Sequence, residues 1–163
     1  MALAFDPIEE ARGNWERHGW GSVDAMSAAT SITRAQQIVL GRVNAVLAPI
    51  PLNFSRFEVL ALLTFSRTGS LPLGKIGERL QVHPASVTNT IDRLERDGFV
   101  ERVPHPTDGR TTLASITRAG RRAAERGAAA MADIEFGLTG VSPSALASIN
   151  SALTDVRSAA GDF

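Results

Sequence analysis

The chain is 163 residues long, 44% hydrophobic and 21% charged, enough for one globular domain with extensions and a real core. It contains no cysteine, so disulfides, thiolate zinc sites and thiol nucleophiles are excluded. No apolar run is long enough to span a membrane, and the acidic start "MALAFDPIEEARGNW" does not read as a secretion signal, so a cytoplasmic protein with no membrane partner is expected.

The 17 Lys/Arg and 17 Asp/Glu cancel, but unevenly. Residues 67–126 carry eleven bases against seven acids, and the remainder carries six against ten. All the bases except Lys75 are arginines, whose planar guanidinium suits phosphates and groove edges. A solvated surface of mixed charges accounts for this imbalance equally well, so the motifs must decide.

Residues 6–20 predict a short helix, capped by Asp6, with Pro7 at its first position and Glu9 and Glu10 at the positive end of its dipole. A longer helix is predicted over 24–48, where Ile32, Ala35, Val39, Val43 and Val46 recur at helical spacing and Pro49 stops it. "FSRFEVLALLTFSR" predicts a third, opened by a capping box from Ser55 to Glu58 and a staple of Phe54 on Val59. After "TGSLP", to which no element is assigned, "LGKIGERL" predicts a short helix with Ile76 and Leu80 on one face, broken by "QVHP". The next helix carries Val87, Ile91 and Leu94 inward, and Gly98 with Phe99 predicts a Schellman ending.

"FVERV" and "TTLASI" predict two antiparallel strands around "PHPTDGR", whose Asp108-Gly109 dipeptide favours a turn. Thr117 is placed to cap a long helix to about 136. Ser142-Pro143 opens the last helix, with Leu146, Ile149, Leu153 and Val156 on one face. That stripe is more than a monomer of this size readily covers, so a homodimer is expected. The expected fold is mainly α with a small β-hairpin wing. A winged helix-turn-helix core over 51–117 is flanked by dimerisation helices in 1–50 and 118–163.

With its core stripe assigned, the second helix of the pair exposes Ser86, Thr88, Asn89, Thr90, Arg93 and Arg96. Short hydrogen-bonding residues near the N-terminus and arginines further along suit base reading and phosphate clamping. Arg110 lies on the wing, where a guanidinium can enter a narrow minor groove. Asp92 does not fit this pattern; orienting an arginine or facing away from DNA would each explain it.

At these residues the sequence resembles the MarR family of bacterial transcription regulators. The resemblance rests on "SVTNTIDRLERDGFVERV", the wing "PTDGR" with its Asp108-x-Arg110 spacing, and "SITRAG" in place of the family's Leu-Thr-x-x-Gly. It covers residues 55–126, with flanking helices matching in order and length. It implies a homodimer that binds a pseudo-palindromic operator in double-stranded DNA, usually as a repressor. It also implies a small aromatic or anionic effector between the dimerisation helices and the DNA-binding lobe. Gly77 stands where the family commonly has Ala, which predicts closer helix packing. The extra N-terminal helix with Trp15 and Trp20 is similar to that of the urate-responsive branch, where a Trp lines the ligand pocket; Glu58 stands where that branch has Asp. Trp15, His18 and Glu58 are therefore the candidate effector contacts, in a pocket between the helix at 55–66, the N-terminal helix and the DNA-binding lobe.

Plainer readings stand beside these. The outer face of the second helix would suit ordinary solvation. Trp15 and Trp20 read first as packing or dimer-interface residues. His18, His83 and His105 have no metal-ligand spacing and read as surface or turn residues. The carboxylates of "GERLQVH" and "LERDGFVER" sit beside arginines and read as ion pairs. No nucleophile elbow, phosphate loop or dinucleotide fingerprint occurs, so neither an enzyme nor a cofactor is expected. The alternative to a DNA-binding regulator is a winged-helix protein-interaction module without sequence-specific DNA binding.

Overall fold

Asp6 begins the first helix, its carboxylate accepting the Ile8 amide at 2.8 Å ahead of Pro7. The computed structural model describes residues 3–108 and 110–163. Helix α1 (Pro7–Arg17) turns back onto the long α2 (Val23–Leu47), whose C-terminal half buries Val43 and Leu47. Ile32 and Ala35, in the predicted apolar stripe of α2, are exposed instead. The stripe reaches the core only from Val39 onward.

Helix α3 (Phe54–Phe65) starts two residues ahead of the expected box. The Asn53 carboxamide, not Ser55, is the cap, accepting the Arg56 amide at 3.0 Å. Asn44 takes the Phe54 amide at 2.8 Å and ties the start of α3 to α2. The apolar residues flanking this cap are Leu52 and Phe57, both buried, rather than Phe54 and Val59. Ser55 fitted the box pattern, but Asn53 satisfies the same orphan amides from further upstream.

Strand β1 (Ser70–Pro72) was not expected; three residues are too few to show alternation. Helices α4 (Leu73–Leu80) and α5 (Pro84–Arg96) follow, then the hairpin of β2 (Val100–Pro104) and β3 (Thr112–Ile116). The sheet is antiparallel in the order β1-β3-β2, with Ser70 opposite Ser115 and Arg102 opposite Ala114. Between α5 and β2 the Schellman ending is present. The Gly98 amide reaches Glu95 O at 3.0 Å and the Phe99 amide reaches Leu94 O at 2.8 Å.

Helix α6 (Arg118–Asp133) is capped by Thr117, and a short 3-10 turn (Glu135–Gly137) leads toward α7 (Pro143–Ala159). Leu47, Leu60, Leu63, Ile76, Ile91, Leu94 and Met131 are the largest side chains of the fully buried centre, which joins α2, α3, α4, α5 and α6. None of the residues of α7 is buried. Ile149, Leu153 and Val156 are 42%, 37% and 55% exposed on it.

Candidate nucleic-acid interface

Two short helices meet at a turn of three residues. Gln81 takes a left-handed conformation (φ 53°, ψ 42°) and its amide closes on Gly77 O. A Cβ at Gly77 would lie 3.2 Å from Val82 O and 3.3 Å from a Val87 methyl. The expected close approach of α4 and α5 is thus met at a position where alanine would crowd. His83 is a turn residue that also caps α5, its Nδ1 accepting the Ala85 amide at 3.2 Å ahead of Pro84.

On α5, Val87, Ile91 and Leu94 are buried and Ser86, Thr88, Asn89, Arg93 and Arg96 are exposed. Ser86, Asn89 and Arg93, three and four residues apart, share the side opposite the core. Thr88 donates its hydroxyl to Pro84 O at 3.1 Å. Thr90 departs from the expected exposure: it is half-buried, three residues after Val87 and four before Leu94, and so flanks the core stripe. Among the described residues, Arg93, Arg96 and Arg110 make no ion pair.

The wing is organised by side chains. His105 Nδ1 accepts the Thr107 and Asp108 amides at 3.3 and 3.2 Å. Asp108 accepts the Thr111 hydroxyl at 2.6 Å and the Arg110 amide at 3.0 Å. These bonds, the Thr111 hydroxyl foremost, hold the Asp108 carboxyl below its ordinary pKa. The Asp-x-Arg spacing therefore has a mechanical basis, since the aspartate grips the backbone from which Arg110 projects. Gly109, the other half of the expected turn dipeptide, lies outside the described residues.

Asp92 has a partner that the sequence did not disclose. Arg102, from β2, donates to Asp92 at 2.5 Å and also to Glu95, one turn along α5. Burial draws the Arg102 pKa down, but the hydrogen bonds to Asp92 and Glu95 outweigh it and leave it raised. The available signal was two carboxylates, three residues apart on an otherwise cationic helix, with an arginine in the following strand. Arg56 similarly pairs with Asp97 at 2.9 Å, joining α3 to the end of α5.

Two of the effector candidates, Trp15 and His18, lie at the end of α1, and the third, Glu58, lies on α3. Trp15 and Trp20 pack edge to face with centroids 4.6 Å apart, and His18 lies 5.5 Å from Trp20. Trp15 Nε1 donates to Gly21 O at 3.1 Å, so this cluster closes the α1–α2 turn. Glu58 sits half-buried on α3, and burial raises its carboxyl pKa. An apolar cleft of about 170 Å³ between α3 and α6 is lined by Phe57, Ala61, Thr64, Phe65 and Ala124, and by none of the three candidates. Among the described residues, no group of three His, Cys, Asp or Glu is placed to hold a metal. Nor is any described helix long and apolar enough to cross a membrane.

A helix-turn-helix backed by a three-stranded sheet, with a gripped hairpin beside the second helix, defines a winged-helix protein. The family model for MarR matches residues 52–112. Sco5413, a MarR family transcriptional regulator of Streptomyces coelicolor, is similar in structure with a TM-score of 0.81 and 51% identity, covering 87% of this chain and 99% of that one. The chain belongs to the MarR family of transcriptional regulators. An uncharacterized HTH-type regulator of Mycobacterium leprae is 40% identical over 63 residues, 39% of this chain and 44% of that protein, so the match spans less than half of that relative. A mutant MarR of E. coli, solved in complex with operator DNA, shares the fold with a TM-score of 0.73 at 21% identity, covering 82% of this chain and 95% of that one.

Proposed function

We propose that this protein is a ligand-responsive repressor that binds a pseudo-palindromic operator in double-stranded DNA as a homodimer. The observation that carries the reading is the outer face of α5. Ser86, Asn89 and Arg93 are exposed together, opposite the core, and Arg110, which makes no ion pair among the described residues, lies on the wing that follows. In this reading Ser86, Thr88, Asn89 and Thr90 meet base edges, Arg93 meets a guanine or a phosphate, and Arg110 enters the minor groove or grips the backbone. Half-buried Thr90 takes the smallest share. That a MarR of the same fold was solved in complex with operator DNA supports DNA as the partner.

The helices within 1–50 and 118–163 form the dimer, and 51–117 forms the reading lobe. The unburied apolar residues of α7 support this division, because a second copy would cover them. A small aromatic or anionic effector would act from a pocket near Trp15, His18 and Glu58, shifting the spacing of the two reading heads.

Titration against a duplex selected by the protein from a random pool, and against a scrambled duplex, tests the reading. Tight binding to the first, with log affinity falling linearly as log salt rises, is the expected result. Weak binding with no preference for either duplex would point instead to a protein-interaction module.

A further inference from the structure

The side chain of Arg102 is the only cationic group among the described residues that two carboxylates of α5 hold at once. The contact is threefold. Its guanidinium donates to Asp92 at 2.5 Å and to Glu95, while its backbone amide donates to Glu95 Oε1 at 3.1 Å. That amide belongs to an edge strand, because β2 pairs only with β3 on its other side. Glu95 therefore satisfies a ladder donor that would otherwise face solvent. One residue thus fastens the wing strand to the recognition helix through main chain and side chain together.

The fastening also has a charge consequence. Arg93 and Arg96 face outward from α5, whereas Asp92 and Glu95 on the same helix carry the sign that DNA repels. Arg102 lies across both carboxylates and is 27% exposed, so its charge is directed at the helix rather than at a phosphate.

We propose that Arg102 is a positioning residue for sequence recognition, holding the wing in register with the recognition helix and masking Asp92 and Glu95 from the DNA backbone. This rests on the DNA-binding reading above. It requires no contact between Arg102 and DNA. A wing released from α5 would still find a groove, but not at the offset that lets Asn89 and Arg110 engage one site together. Specificity should therefore suffer beyond the general loss of affinity.

The test uses the full chain, the selected duplex and the scrambled duplex at several salt concentrations. R102Q is expected to weaken the selected duplex roughly tenfold, within the range over which members of one ion-pair network couple. It should weaken the scrambled duplex less and leave the salt slope unchanged. The triple variant R102Q/D92N/E95Q, which removes the unmasked charges, should recover scrambled binding while its selected-to-scrambled ratio stays low. Thermal unfolding of each variant accompanies the titrations. Should R102Q prove unstable, R102K, which keeps the charge but not the fork, reads the same ratio. A wild-type ratio in R102Q or R102K would overturn the proposal, as would a salt slope shallower by about one unit, the mark of a direct phosphate ligand. Failure of the wild type to select any duplex would overturn the DNA-binding reading itself, and this inference with it.

Discussion

Thr117 Oγ1 donates to Gly98 O at 2.8 Å and accepts the Gly120 amide at 3.0 Å, so one hydroxyl joins the exit of α5 to the start of α6. Gly120 completes the joint, for a Cβ there would lie 2.1 Å from Phe99 O. The spacing in "SITRAG" is the spacing of a cap and a close backbone approach. Thr117→Ala should cost about 1 kcal/mol through the lost cap. Gly120→Ala should cost about 1–3 kcal/mol although alanine is the better helix former, because the clash is with backbone. Denaturant unfolding would check both; a stabilised Gly120→Ala would contradict the joint.

Reading and holding should separate on α5 and the wing. Asn89→Ala is expected to weaken a selected duplex by about 1–3 kcal/mol and leave a scrambled duplex almost unaffected. Arg110→Ala should weaken both and lower the salt slope by roughly one unit if it holds a phosphate. Equal losses on both duplexes for Asn89→Ala would remove α5 as the reader of sequence.

The stripe on α7 predicts assembly. Wild-type protein should sediment as a dimer at micromolar concentration. Placing an unpaired carboxylate in the stripe with Leu153→Glu should weaken association by roughly a hundredfold or more. A monomeric wild type would remove the dimer, and with it the two-fold symmetric operator.

Glu58 gives a prediction in pH. Its carboxyl pKa is raised by burial, so its contribution favours the folded state below the ordinary carboxylate range and is lost as pH rises through the elevated value. Glu58→Gln should therefore raise the unfolding midpoint at about pH 7, and the gap should close toward about pH 4. Thermal melts at the two pH values would show this, and a gap that widens under acid would reverse the assignment.

The helix-turn-helix was legible because burial follows the repeat of α5. Val87, Ile91 and Leu94 read inward and are inward, and Gly98 and Phe99 end the helix as their types require. What escaped was set by contacts distant in sequence. Asn53 displaced Ser55 as a cap once Asn44 had tied down the Phe54 amide, and β1 became a strand only because β3 lay beside it. Thr90 looked exposed among its polar neighbours, but its angular position places it against the core. Asp92 was recognised as out of place, yet its partner sits ten residues away on another element. The exposed side chains of α5 were accessible to pattern; the bonds that tie the helix to its neighbours were not.

The sheet order also constrains how the chain assembles. Strand β1 pairs with β3 across the whole helix-turn-helix, whereas β2 and β3 are joined by a short hairpin. Closing the longer loop costs more chain entropy and gains only a three-residue ladder, so the hairpin is the natural first partner and β1 the last to dock. On the ribosome, the helix-turn-helix over 73–99 can be locked in place only after the chain has emerged through Ile116.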